Sequence, residues 1–284
     1  MSLDITKHLE TLCQKDPDER RKAVASVLDS EEISYQTQVM EASPQIPRGI
    51  CNYLFSTGED APGILFCAHY DSFPGSYGAN DNAAGVCILI QLAKFFQEHH
   101  ITAQFALFDG EENKNAGSKF YLSTASRSHI TGAINLDVCG YGSHLVIYGK
   151  GHERKKVFAP FCRKDLLQKH QGVLVNFLPP SDDVSFTEAG IPALSIAAVP
   201  YWDIQYLKTL GTYGNGILGK PPEFDMILGE MDVMSTLHGG YKDSPEWIEP
   251  EAMELIFNFL AEAVTAPPVE KSKFSSSFIG GLFK

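Results

Sequence analysis

Residues 63–71 read GILFCAHYD: an unbroken apolar run, Gly63 to Ala68, that ends on His69 and Asp71. A short apolar run bounded by turn residues suits a strand buried on both faces of a sheet. The same pattern recurs twice downstream. Phe105 to Phe108 is followed by Asp109-Gly110-Glu111-Glu112, and Ala133 to Leu136 is followed by Asp137. Between the first two runs, residues 82–98 carry Val86, Leu89, Ile90, Ala93 and Phe96 at the spacing of a buried helix face. Strands that alternate with helices predict an α/β fold. The expected form is a three-layer α/β/α sandwich around a central mixed, mostly parallel sheet.

Outward from that centre the chain keeps the rhythm as one domain over residues 1–284. Residues 1–30 form an N-terminal helical segment, with Asp16-Pro17 starting its second helix. Strands are expected near Ser34–Met40 and Ile50–Phe55, a short helix at 116–125, and a strand at His144–Tyr148. A helix follows from Gly151 to Gln171, then strands at Val173–Phe177 and Ala193–Ala197, and a closing amphipathic helix from Ile248 to Val264. Residues 200–240 break the pattern, with Gly211, Gly214, Gly216, Gly219, Pro221 and Pro222, and read as a long loop and candidate lid. Residues 267–284 read as a flexible tail.

The 284 residues carry 23 Lys and Arg against 35 Asp and Glu, a net charge of −12. That surface excludes nucleic acid and anionic membrane as expected partners. No stretch approaches the roughly 20 apolar residues of a membrane span. The six cysteines are scattered without a CxxC pair, as expected of reduced thiols in a cytoplasmic protein.

The polar residues after the three central strands share one place in such a fold. In an open α/β sheet, ligands bind in the crevice beyond the carboxyl ends of the strands. Singly, each residue has an ordinary reading. Asp81 in Gly78-Ala-Asn-Asp81-Asn-Ala-Ala-Gly85 is a natural helix cap. Glu111-Glu112 is a solvated turn, and His69 a core histidine. Asp137 is harder to set aside, because a carboxylate at the end of an apolar strand is costly unless paired. Together, one imidazole and several carboxylates in one crevice repel each other without a cation, and zinc accepts both ligand types.

The string AHYDS, GANDNAAGV, LFDGEE, INLDVCG, SDDVSFTEAGIPA and LHGGYKDS, in that order, resembles the zinc aminopeptidase family of co-catalytic di-zinc exopeptidases, which also contains the glutaminyl cyclases. The resemblance runs from about Ile50 to the last helix and implies a zinc exopeptidase-like fold. It implies that His69, Asp81 and Asp137 hold one Zn2+ ion, and that Asp81, Glu112 and His238 hold a second, with Asp81 bridging. Asp71 would orient the His69 ring and Glu111 would act as general base. The substrate would be a peptide or small amide. Of the other histidines, His8, His99, His100 and His170 read as surface residues of helices, and His129, His144 and His152 match no motif.

Two elements depart from the family pattern. Many members carry a Tyr that assists the oxyanion where Pro180 stands here, and Asp183 replaces a His. Tyr201, Tyr206, Tyr213 and Tyr241 are the candidate replacements for that Tyr. The last ligand is usually followed by Asp four residues later, whereas Asp243 lies five after His238. The alternative is a cyclase-like acyltransferase with one zinc per chain. That subgroup carries Trp before the last His, where this chain has Leu237. A non-catalytic relative is the third reading, and it usually lacks one or more ligands.

Overall fold

The apolar run that opens at Gly63 lies near the middle of an eight-stranded sheet. The computed structural model describes residues 4–59, 61–124, 127–214 and 221–266. The strands are β1 (Gln36–Met40), β2 (Ile50–Thr57), β3 (Gly63–His69), β4 (Ala103–Phe108), β5 (Ile130–Leu136), β6 (His144–Tyr148), β7 (Val173–Leu174) and β8 (Ala193–Val199). Their order in the sheet is β1-β2-β4-β3-β5-β8-β6-β7. The central four, β4-β3-β5-β8, are parallel, while β1, β2 and β6 run antiparallel to their inner neighbours. The sheet is therefore mixed with a parallel centre. Its carboxyl edge carries His69, Asp109 and Asp137 side by side.

Period-two alternation sorts each central strand between two apolar layers. Phe66 and Ala68 of β3, Phe105 and Leu107 of β4, and Ile134 and Leu136 of β5 face one core. Leu65, Cys67, Ala106, Phe108 and Ala133 face the other. The first layer is covered by α2 (Pro17–Ser30), α3 (Ala84–Glu98) and α9 (Pro250–Thr265). The opposite face is covered by α4 (Ala116–Thr124) and α6 (Asp183–Glu188). Phe66 packs edge-on to Phe96 at 5.4 Å and stacks near Phe105 at 5.6 Å. Truncating such a ring to Ala costs about 3–5 kcal/mol.

The N-terminal segment, α1 (Leu9–Leu12) and α2, is a clamp as well as a cover. The Asp16 carboxylate accepts the N–H groups of Asp18 and Glu19, and Pro17 occupies the first turn, as the sequence predicts. Arg20 of α2 is fully buried. It donates Nη1 to the Tyr77 carbonyl at 2.6 Å, Nη2 to the Gly78 carbonyl at 2.8 Å, and Nε to the Tyr70 carbonyl. A guanidinium with its five donors in a rigid fork is suited to gathering several carbonyls at once. Arg20 thus fixes the loop that runs from His69 to Asp81.

Three expectations from the sequence are corrected. Residues 200–240 are helical: α7 (Asp203–Gly214), α8 (Glu223–Gly229) and a 3-10 turn at Asp232–Thr236, with 215–220 outside the described residues. Ile204, Leu207 and Leu210 bury one face of α7, and Gly211 and Gly214, which read as breakers, fall in its last turn. Residues 151–171 are not one helix. They form 3-10 turns at His152–Arg154 and Lys156–Cys162, then α5 (Lys164–Lys169), because Pro160 has no N–H to continue a helical ladder. His8 and His170 are buried rather than superficial, each with a ring nitrogen against a glutamate, Glu31 at 2.5 Å and Glu262 at 2.9 Å. The tail expected at 267–284 lies outside the described residues.

Candidate metal centre

β3, β4 and β5 end together, and the loops that follow them meet the turn 78–83 and the segment before α9. Gly78 has φ +54, and a Cβ there would lie 2.6 Å from the Asp81 carbonyl and 2.6 Å from the Ser72 Cβ. Glycine is therefore required for the turn that delivers Asp81. Asp81 is not the first residue of α3; it sits in an irregular turn at Ala79–Ala83, and the helix starts at Ala84.

The structure brings His69, Asp81, Asp137, Glu112 and His238 together in two groups. Ligand atoms of His69, Asp81 and Asp137 lie within 4.8 Å of one another, and so do those of Asp81, Glu112 and His238. Asp81 joins them. Its Oδ1 lies 3.0 Å from His69 Nε2, and its Oδ2 lies 3.2 Å from His238 Nε2. Asp137 Oδ1 is 3.4 Å from His69 Nε2, and Glu112 Oε1 is 3.6 Å from His238 Nε2.

Asp71 stands beside the His69 ring, as the resemblance implies, and has a second task. The His69 Nδ1–H donates to the Asp71 backbone carbonyl at 3.1 Å, with the carboxylate further off at 3.4 Å. The Asp71 carboxylate accepts the backbone N–H of Glu111 at 3.0 Å and of Glu112 at 3.2 Å. It therefore fixes the turn on which both glutamates stand. Glu111 lines the cavity beside the cluster, and Asn115 Nδ2 donates to its Oε1 at 3.3 Å.

The donor set fits divalent metal. A carbonyl only accepts, so the bond to Asp71 fixes Nδ1 as a donor and leaves Nε2 as the ring nitrogen that faces the carboxylates. Nε2 lies 3.0 Å from Asp81 Oδ1 and 3.4 Å from Asp137 Oδ1, a crowding of carboxylates that a positive charge must balance, a metal ion when bound or a proton on the ring without one. His69 Nε2, Glu112 Oε1 and Asp137 Oδ1 are all buried without a hydrogen-bond partner among the described residues. Imidazole nitrogen with carboxylate oxygen is a set that zinc accepts.

The electrostatics show the same crowding. Burial pushes the Glu111 carboxyl up to about 9, with Asp137, Asp182 and Asp81 adding and His69 opposing. Burial pushes Glu112 up to about 7, with Asp81 adding. Burial acts against both charged forms at His69 and Asp81, but each is overridden by its partners. Asp137, Asp71 and Asp81 hold the His69 ring well above its usual range, and His238 and His69 hold Asp81 below its own. The Asp81 hydrogen bond raises His238. Beneath the cluster, Asp182 is fully buried and burial raises it to about 7, while Asp183 rises to about 6.

The acids open into a cavity of about 410 Å³. Asp81, Glu111, Glu112, Asp137 and His238 line one end. The rest is mostly apolar, with Leu178, Ala197, Val199, Leu207, Met231 and Leu237 among its residues and Asn115, Ser181 and Ser195 as polar exceptions. The segment read as a lid is thus a wall. None of Tyr201, Tyr206, Tyr213 and Tyr241 lines the cavity; Tyr201 and Tyr241 are exposed, so the missing Tyr has no replacement among these four. Asp243, one place late by the family pattern, still reaches back, accepting Gly239 N–H at 2.8 Å and the Ser76 hydroxyl at 2.5 Å. Sequence reasoning missed Phe73, whose ring stacks on His238 at 4.7 Å, because a lone aromatic in a loop gives no pattern.

The profile of peptidase family M28 matches residues 53–213. A vacuolar membrane protease of Coprinopsis cinerea is 33% identical over 106 residues, which are 37% of this chain and 10% of that protein. The chain thus spans about a tenth of the length of that relative. The zinc aminopeptidase BSAP from Bacillus subtilis superposes with a TM-score of 0.57 at 21% identity, covering 75% of this chain and 49% of its own. Glutaminyl cyclase from Porphyromonas gingivalis does so with a TM-score of 0.64 at 15% identity, covering 92% and 94%. These two likenesses concern the fold.

The relatives correct two expectations. A cytoplasmic placement and the absence of any membrane partner do not stand beside curated relatives named for the vacuolar membrane. The signals behind those expectations were local. Unpaired buried thiols and an acidic surface are properties of a folded domain and do not report what carries it. No described helix is long and apolar enough to cross a membrane.

Proposed function

The chain belongs to peptidase family M28, a family of metallopeptidases, and on that premise we propose that it is a zinc-dependent exopeptidase that removes the N-terminal residue of a peptide. One observation carries this reading: the acidic cluster and an apolar chamber share a single cavity of about 410 Å³. A chamber of that size accepts one bulky apolar side chain and a few backbone atoms. The cluster of carboxylates beside it attracts a free α-amine. A residue so seated presents its own carbonyl to Glu111, and cleavage falls after the first residue.

His69, Asp81 and Asp137 would hold one Zn2+ ion, and Asp81, Glu112 and His238 the other, with Asp81 using one oxygen for each. When bound, the metal supplies a water of lowered pKa and polarises the substrate carbonyl. The Glu111 carboxylate takes the proton of the attacking water and returns it to the leaving amine. Asp71 holds the Glu111–Glu112 turn through two backbone N–H groups, so it acts as a positioning residue. The apolar wall excludes water from the side-chain end and favours Leu- or Met-like residues. The name of the curated relatives supports a membrane-associated setting for this peptidase.

The cyclase alternative has less support, since Leu237 lines the cavity where that subgroup carries Trp. Digestion of a peptide library by the zinc-loaded protein, read by mass spectrometry, tests the proposal. Loss of single N-terminal residues with free amino acid released is expected. Internal cleavage, or pyroglutamate formation without hydrolysis, contradicts it.

A further inference from the structure

Asp81 stands between two asparagines, and both are fully buried. Asn82 Nδ2 donates to the Leu136 carbonyl at 2.7 Å, immediately before Asp137. Asn80 reaches the other way. Its Nδ2 donates to Thr236 Oγ1 at 2.7 Å, two residues before His238, and its Oδ1 accepts the Gly140 N–H at 2.6 Å, three residues after Asp137. Thr236 is also fully buried, and its hydroxyl donates onward to the Val233 carbonyl at 2.6 Å.

The approach at Gly140 is built for this contact. A Cβ there would lie 2.8 Å from the Ala84 Cβ, 2.9 Å from Ile248 Cδ1 and 3.2 Å from Asn80 Oδ1, so a larger residue would crowd the place where this bond is made. The bonds also span long stretches of chain, 60 residues to Gly140 and 156 to Thr236. His238 needs such help. Its backbone sits at φ +51, and its side chain is 47% exposed, with Phe73 stacked on the ring but no hydrogen bond from the ring to its own loop among those described. A residue with a Cβ in this region carries strain that neighbouring structure must overcome.

We propose that Asn80 is the positioning residue for the His238 half of the centre: its amide, paired with Thr236, sets the distance between His238 and Asp81, while Asn82 does the same for Asp137. The inference rests on the two-cation reading above. Partners behind the ligands of a metal site typically account for 10–100-fold in affinity. Loss of the Thr236 hydroxyl therefore weakens one of two metal equivalents and spares the other. The Ser76–Asp243 bond, on the far side of His238, remains and keeps the turn folded.

The test is a zinc titration of the metal-stripped protein against a competing chelator, for wild type, Thr236→Val, Thr236→Ser and Asn80→Ala. Thermal melting of each metal-free protein controls for folding. In Thr236→Val, which preserves volume, one equivalent is expected to bind as in wild type and the other at least about tenfold less tightly. Thr236→Ser, which keeps the hydroxyl, restores both. Asn80→Ala, which also leaves the Gly140 N–H beside Asp137 without its acceptor, is expected to weaken both equivalents. Unchanged binding of both equivalents in Thr236→Val overturns the inference, as does an equal loss of both with a lowered melting temperature. A wild-type protein that takes up no second equivalent overturns the two-cation reading and the inference with it.

Discussion

The Asp71 carboxylate accepts the Glu111 amide N–H at 3.0 Å, and its other oxygen accepts that of Glu112 at 3.2 Å. One side chain thus sets the backbone of two adjacent cavity-lining glutamates at once, of which Glu112 faces His238. In Asp71→Ala both N–H groups lose their acceptor and the turn relaxes. Zinc affinity and turnover are each expected to fall by about 10–100-fold. Chelator competition and steady-state kinetics on the same preparation check this.

Glu111 faces the cavity without belonging to either ligand group. Glu111→Gln keeps the shape and removes the base. It is expected to bind zinc as wild type does and to lose at least ~100-fold in turnover, in line with a general base. Metal content by atomic emission beside kcat separates the two effects, and near-normal turnover removes Glu111 from the role.

Asp182 is fully buried, and burial holds its carboxyl at about 7 in the folded chain against an ordinary 3.8. Between about pH 4 and pH 7 the folded protein keeps this proton while the unfolded chain has released it. The unfolded state then binds fewer protons, so stability falls as pH rises through that window. Asp183, held at about 6, acts in the same direction over a narrower range. Urea unfolding of the metal-free protein should show Asp182→Asn more stable than wild type at pH 8 and no more stable at pH 4. A variant whose stability advantage is the same at both pH values contradicts the assignment.

Ala197 is a small residue on the apolar wall, within β8. Ala197→Leu shortens the chamber by about three methyl-sized groups. Each methylene in such a pocket is worth about 1–3 kcal/mol of discrimination. The ratio of kcat/KM for a leucyl over an alanyl substrate should drop by at least about tenfold, with alanyl turnover little changed. An unchanged ratio places the substrate side chain elsewhere.

What the sequence made legible follows from how it stores information. β3, β4 and β5 were readable because burial on both faces demands uninterrupted apolar runs, and the polar residues at their ends stand out against them. The order of those strands in the parallel centre places His69 and Asp137 at one edge before any contact is known. The helices α7 and α8 were hidden by composition: glycines, prolines and aromatics dominate 200–240, while Ile204, Leu207 and Leu210 carry a period too short to outweigh them. α6 is six residues long and has no room for a period. The work of Asp71 was half visible, since proximity in sequence suggested its tie to His69, but its bonds to Glu111 and Glu112 cross 40 and 41 residues. Asn80 was invisible for the same reason. The vacuolar-membrane setting named for the curated relatives has no counterpart among the described helices, none of which is long and apolar enough to cross a membrane.

The central claim is that divalent cations balance the carboxylates around Asp81. Crystals of the metal-stripped protein soaked in zinc, with anomalous differences collected at the zinc edge, test it directly. The account predicts two peaks, one bounded by His69, Asp81 and Asp137 and the other by Asp81, Glu112 and His238. A map with no peak in contact with Asp81 would contradict it.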